Sequence, residues 1–127
     1  MLAKLFLLNA VYVKVRRNQF QVRSLKSGVD VTSVAQTPFT TTRLLIGQFA
    51  AAESALKAAL KQLPQGYLRF FSPDIVIHPL EMVEGGLSEI EERIIHEVAV
   101  GAGAKRVVVW LGHELNDDEV KKMLGGS

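Results

Sequence analysis

Two short β-branched runs enclosing a sharply marked helix limit what this chain can become. Ile75-Val76-Ile77 stands between Pro73 and Pro79, and Val107 to Leu111 is apolar again. Short runs without polar alternation suit strands buried on both faces. Between them Ser88 precedes Glu91 by three positions, a capping box in which each side chain satisfies the other's backbone amide. Ile90, Ile94 and Val98 then recur at helical spacing, and Glu89, Arg93 and Glu97 are neighbours on the wet side. Gly101 and Gly103 supply the stop. Two strands joined by a crossover helix pair in parallel. The chain is therefore read as an α/β protein.

Upstream the period is two. Val11, Val13 and Val15 alternate with Tyr12, Lys14 and Arg16, Arg17-Asn18-Gln19 turns, and Phe20, Val22 and Leu25 return as far as Ser27-Gly28. A poorer third strand fits Val29 to Val34, and a short apolar run, Leu5 to Leu8, lies ahead of them all. The threonines Thr40 to Thr42 give no clear reading. From Leu44 the period changes: Leu45, Phe49, Ala52, Leu56, Ala59 or Leu60, and Leu63 mark one helix face, stopped by Pro64 and Gly66. A last short helix begins near Asn116, with Glu119 closing a second capping box, and carries Val120, Met123 and Leu124. The expectation is a mixed five-stranded sheet with helices on its faces, a single domain over 1–124 and a loose tail over 125–127. A three-strand meander followed by strand-helix units is the order of the ribonuclease H-like fold, which actin-like ATPases also use.

Composition narrows the function classes. With 127 residues, 48% hydrophobic and 22% charged, there is material for one core. A net charge of +2 is too weak to argue for nucleic acid without a clustered patch. The absence of cysteine excludes disulfides and thiolate metal sites and fits a reducing compartment, so a cytoplasmic location is expected. Leu5 to Val13 behind Lys4 has a signal-like profile, but its residues are strand formers and no small-residue cleavage site precedes Arg16 and Arg17. No run reaches the roughly 18 apolar residues of a membrane-spanning helix.

Over 73–107 the residues become more specific. Pro73-Asp74-Ile75-Val76-Ile77, Pro79, Ser88-Glu89-Ile90-Glu91-Glu92-Arg93 and Val100-Gly101-Ala102-Gly103-Ala104-Lys105-Arg106-Val107 together resemble the bacterial rod-shape actin homologues, the MreB family. Leu45-Ile46-Gly47-Gln48-Phe49 is similar to the opening of that family's preceding helix, and Val11-Tyr12-Val13-Lys14 to its second strand. The resemblance implies a truncated or degenerate first half-domain of actin-like type. It also exposes departures. The family's Asp-x-Gly-Thr phosphate loop is replaced by Leu7-Leu8-Asn9-Ala10-Val11, its second half is missing from this sequence, and Leu111-Gly112-His113-Glu114 stands where the family has an acidic Glu-Glu-Pro segment. Neither ATP binding nor any other cofactor is expected, and ATPase activity is not expected.

The remaining candidate chemistry is thin. A two-metal nuclease needs a carboxylate on its first strand, and residues 1–29 contain none. His78 and His113 each follow a predicted parallel strand, on the edge where α/β ligand sites gather, with Glu81, Glu84 and Glu114 near in sequence. They could bind a divalent metal or serve as solvated or capping loop residues. His96 is read as a surface partner of Glu92, Glu84-Gly85-Gly86-Leu87 as a helix-entry loop, and Lys14, Arg16, Arg17 and Arg23 as a solvated strand face. Tyr67, Phe70 and Phe71 are expected to pack under the first helix, or, where exposed, to anchor an interface.

These readings converge on a non-catalytic protein-interaction module linked to cell-shape machinery, with a full-length actin-like protein as one partner and no nucleic acid. The alternative is a small metal-binding or hydrolytic protein using His78 and His113. A third reading is a homodimer formed when an exposed sheet edge pairs with its copy.

Overall fold

A computed structural model describes residues 9–125, apart from the Tyr67 side chain. The Leu5 to Leu8 run, most of the 7–11 junction's first half and the end of the tail, Gly126-Ser127, lie outside the described residues. The elements run β1 (Ala10–Arg16), β2 (Gln19–Ser24), β3 (Asp30–Val34), α1 (Phe49–Lys61), β4 (Asp74–Pro79), α2 (Glu89–Gly101), β5 (Arg106–Val109) and α3 (Asp117–Met123), with a 3-10 turn at Gly66–Arg69. They form an α/β fold around one five-stranded mixed sheet of order β3-β2-β1-β4-β5. β1 pairs antiparallel with β2 and parallel with β4, and β4 pairs parallel with β5. The parallel pairing expected of a crossover helix is thus present.

Alternation along the strands builds two cores. Val11, Val13, Val15, Phe20, Val22, Ile75 and Ile77 face Ala52, Leu56 and Ala59 of α1 and Ile95 and Val98 of α2. On the opposite face Ala10, Tyr12 and Val76 meet Leu115, Val120 and Leu124 of the α3 region. All six residues of β4 are buried, as a central strand covered on both sides requires.

Several boundaries differ from the sequence reading. β1 joins β2 through Arg17-Asn18 alone, and Asn18 takes a left-handed φ of 57°, which asparagine tolerates. Its side-chain oxygen accepts from the Phe39 and Thr40 amides, both at 2.8 Å. Those bonds fold the threonine segment inward and seat Phe39 against Phe20, ring centres 5.0 Å apart. Helix α1 starts at Phe49 rather than Leu44, because Leu45 and Ile46 are spent as buried loop residues. Strand β5 stops at Val109, so Trp110 and Leu111 belong to the following loop. Ile90, expected on the buried stripe of α2, is 75% exposed. The segment that resembles a second strand, Val11 to Lys14, occupies the centre of the sheet as the first described strand.

Candidate functional site

His78 ends up interior. Its register partner across the parallel pair is Lys14, on the sheet face shared with Tyr12. The ring is 1% exposed and both nitrogens are engaged. Nε2 lies 3.0 Å from the Gly112 carbonyl and so carries the proton it donates there. Nδ1 is left as the acceptor, and the Tyr12 hydroxyl donates to it at 2.7 Å. The Leu115 amide in turn donates to the Tyr12 oxygen at 3.1 Å. The result is a relay from the loop after β5, through two strands, back to the same loop. Burial pushes the Tyr12 phenol above its ordinary value and the His78 imidazolium below its own, the Gly112 and Glu114 interactions only partly offsetting the latter.

Gly112 makes the close approach possible. Its φ is 151°, and a Cβ there would meet the Trp110 ring at 2.6 Å. Trp110 stands edge-on to both His78 and His113, with ring centres 6.5 and 5.7 Å away, and donates its indole N–H to the His113 carbonyl at 2.8 Å. His113 itself is turned outward, its Nε2 2.7 Å from Glu119 Oε2. Glu114 is paired with Lys14 at 3.0 Å and Glu81 with Arg17 at 2.7 Å. These cations, acting mainly through hydrogen bonds from the Lys14 side chain and the Arg17 backbone, hold both carboxyls below the ordinary range. For His78 to ligate a metal it would first have to give up Tyr12 or Gly112. Among the described residues no group of three or more His, Asp or Glu side chains converges as a metal site would.

The other sequence candidates are scattered. Gly85 and Gly86 have φ of 80° and 91° and form the turn into α2, whose first turn is already capped by Ser88 and Glu91. His96 lines an open groove beside β5 with Glu89, Glu92, Arg93 and Glu97. The basic hairpin is largely neutralised: besides the two pairs above, Arg23 contacts Asp30 at 2.8 Å and Asp117 at 2.9 Å. Arg16 donates to Gln21 at 2.9 Å.

Of the aromatic segment, Phe70 and Phe71 are arranged contrary to the packing expectation, while the Tyr67 side chain lies outside the described residues. Gln65 donates to the Leu60, Lys61 and Leu63 carbonyls and so closes the C-terminal end of α1. The 3-10 turn follows, and Leu68 packs against the core. With Leu68 turned in, Phe70 and Phe71 project outward at 77% and 58% exposure. The shallow pocket beside them is lined by Lys57, Lys61, Arg69 and Pro73. Lys105, exposed as well, joins this end of the molecule through its amide bond to the Pro73 carbonyl, 2.7 Å. Glu53 pairs with Lys57 at 3.5 Å, while Lys61, Arg69 and Lys105 have no ion-pair partner among the described residues. Lys57, Lys61 and Arg69 are not among the residues singled out from the sequence; the i,i+4 spacing of Lys57 and Lys61 on α1 is the signal that could have found two of them, and nothing local ties them to Arg69.

No family model matches the chain. Over 100 residues it is 45% identical to the Escherichia coli (strain K12) protein named "Uncharacterized protein YjaA", a match spanning 75% of this chain and 77% of that protein.

Proposed function

The chain belongs to the YjaA family, and we propose that it is a non-catalytic docking module that binds no ATP. The observation that carries this reading is the exposed Phe70-Phe71 pair, which shares a pocket with Lys57, Lys61 and Arg69. Exposed aromatics within a cationic border fit an apolar surface edged with anionic groups. A protein partner presents that chemistry, and so does the headgroup boundary of an anionic bilayer. No helix among the described residues is long and apolar enough to cross a membrane, so contact of the latter kind is peripheral.

The scaffold reading belongs to the same proposal. The order β3-β2-β1-β4-β5, with α3 on the face opposite α1 and α2, supports a ribonuclease H-like or actin-like architecture. A role beside cell-shape machinery rests on the sequence resemblance over 73–107. The engaged state of both His78 nitrogens weighs against the metal or hydrolytic alternative.

The test is co-sedimentation of the full chain with vesicles of phosphatidylglycerol and phosphatidylcholine, beside vesicles of phosphatidylcholine alone. Binding to the anionic set that falls at least tenfold in Phe70→Ser and Arg69→Glu supports the bilayer form. If neither set binds, a photo-crosslinking residue at position 70 in the native host should trap one partner, and Arg69→Glu should abolish the product. Failure in both arms ends the docking reading. Tight binding of ATP with Mg²⁺ in a calorimetric titration would remove its nucleotide-free part.

A further inference from the structure

The strongest unassigned surface lies at the edge of the sheet that β3 closes. β3 is the last strand in the described order and pairs only with β2. Two backbone bonds fix which of its groups that pairing uses. The Ser24 amide donates to the Val29 carbonyl at 3.0 Å, and the Ala35 amide to the Asn18 carbonyl at 2.9 Å. Antiparallel ladders bond alternate pairs, and the register runs unbroken from Arg23 opposite Asp30 to Gln19 opposite Val34. Both ends therefore assign the bonds to Val31 and Ser33. Asp30, Thr32 and Val34 turn their N–H and C=O groups to the open side. Val34 is 68% exposed. Asp30, the one charge in the strand, is held by Arg23 at 2.8 Å.

A strand added at this edge would not lie bare. Helix α1 packs over β2 and β3. The flank of α1 turned to the edge forms a groove in which Ala51, Ser54, Ala58 and Gln62 stand beside Ser33 and Ala35. No charged residue lines that groove. The opposite edge of the sheet differs: the groove beside β5 holds Glu89, Glu92 and Glu97 with Arg93 and His96. Two copies meeting there would set carboxylate against carboxylate, the kind of charge that blunts an edge. Charge thus opposes self-pairing at β5 and leaves it unopposed at β3.

We infer that this face binds a second copy of the chain, with β3 pairing antiparallel to its counterpart and continuing the sheet. Centred on Ser33, the pairing sets Thr32 opposite the second copy's Val34 and Val34 opposite its Thr32. The outward groups of both residues are then used. Ser33 faces α1, its hydroxyl meeting Gln62 at 3.3 Å, so Thr32 and Val34 lie on the other face of the sheet. There the two β-branched side chains pair across the strands and cover one another. A two-fold axis perpendicular to the sheet keeps both α1 helices on one face and runs them in opposite directions. Each lies over β2 and β3, so the two stand about two strand spacings, roughly 10 Å, apart. That is the separation of packed helices, and alanine and serine on the facing flanks leave room for it. A lone foreign strand would use the β3 edge but leave that flank of α1 in water. A second copy covers both.

The experiment is the solution mass of the full chain by light scattering across a concentration series. The expected result is a dimer weakened at least tenfold by Thr32→Pro, which removes an outward N–H and leaves the bonds to β2 in place. Ser54→Glu, which sets like charges side by side on the facing flanks, should weaken it as much. Glu92→Lys, in the groove beside β5, should leave it unchanged. Circular dichroism identical to the parent confirms that each variant is folded. Because the chain lacks cysteine, Ser33→Cys gives a second readout. Oxidation should link two copies, since the facing Cα atoms of a non-bonded pair, about 4.5 Å apart, suit a disulfide. A monomer at every concentration overturns the inference and leaves the edge to an extended segment of another protein. So does a dimer indifferent to Thr32→Pro or to Ser54→Glu, or one lost in Glu92→Lys. The surface shares no residue with the pocket beside Phe70 and Phe71, so this result and the vesicle result stand or fall separately.

Discussion

Tyr12 has two tasks in one oxygen: it accepts the Leu115 amide and donates to His78. Tyr12→Phe removes both bonds while keeping the ring, leaving a buried amide and a buried imidazole nitrogen unsatisfied. The expected loss is about 1–3 kcal/mol, read as a lower urea midpoint with unchanged slope. His78 adds a pH dependence. Burial, the largest cause, lowers its native pKa below the ordinary 6.5. Above 6.5 both folded and unfolded chains hold it neutral and its contribution is complete. As pH falls below 6.5 the unfolded chain takes up a proton that the native ring refuses, so stability declines until the native pKa is passed. Glu81, Glu114 and Asp117 have lowered native pKa values and add a separate loss, beginning only as pH drops through their ordinary values of 4.5, 4.5 and 3.8. Thermal unfolding between pH 7 and 5 should therefore show a decline that is flattened in His78→Gln. An equal slope in both proteins would place the proton elsewhere.

At the scale of elements, both capping boxes read in the sequence are present, Ser88 with Glu91 and Asn116 with Glu119. Ser88→Ala should cost about 1 kcal/mol, measurable by thermal unfolding, because its oxygen holds the Glu91 amide at 3.1 Å. Caps are legible because they are local: donor and acceptor lie three residues apart. The loop from Ala35 to Gln48 was not legible, since Asn18, far upstream, organises it. Asn18→Ala removes the acceptor of two amides and strains a left-handed turn. We expect it to destabilise by about 2 kcal/mol or more, and proteolysis between Thr37 and Leu44 should accelerate. An unchanged digestion pattern would show that Phe39 alone keeps the loop in place.

Across the whole molecule, the two ends of the sheet differ in how their charges are paired. Glu81 and Glu114 are matched by Arg17 and Lys14 at one end, while Lys61 and Arg69 at the other have no ion-pair partner among the described residues. Where β4 ends, Glu81, Glu84, Glu89, Glu91 and Glu92 gather in sequence at the entry to α2. Where β4 begins, Lys57, Lys61 and Arg69 line the pocket beside the phenylalanine pair, and the exposed Lys105 is tied to Pro73 through its backbone amide. The net charge of +2 conceals this difference, because it counts paired and unpaired charges alike. Contacts at the cationic end should weaken steeply with salt, as exposed charges are screened over about 8 Å at physiological ionic strength. Raising sodium chloride to about 0.5 M, where the screening length falls well below that, should release the chain from anionic vesicles. Binding that persists undiminished would mean that the phenylalanines act without the lysines.

The sequence by itself determined the strand and helix order, the parallel crossover, both caps and the burial of Ile75-Val76-Ile77, because each depends on periodicity or on partners a few residues apart. It also supplied the aromatic cluster. Only the tertiary structure decided that Leu68 turns in while Phe70 and Phe71 turn out, and that His78 closes a relay with Tyr12 and Gly112 instead of facing a ligand. Those outcomes depend on residues 66 and 34 positions from His78 being brought within hydrogen-bond reach. Local pattern carries no term for such pairings; sheet register fixes them.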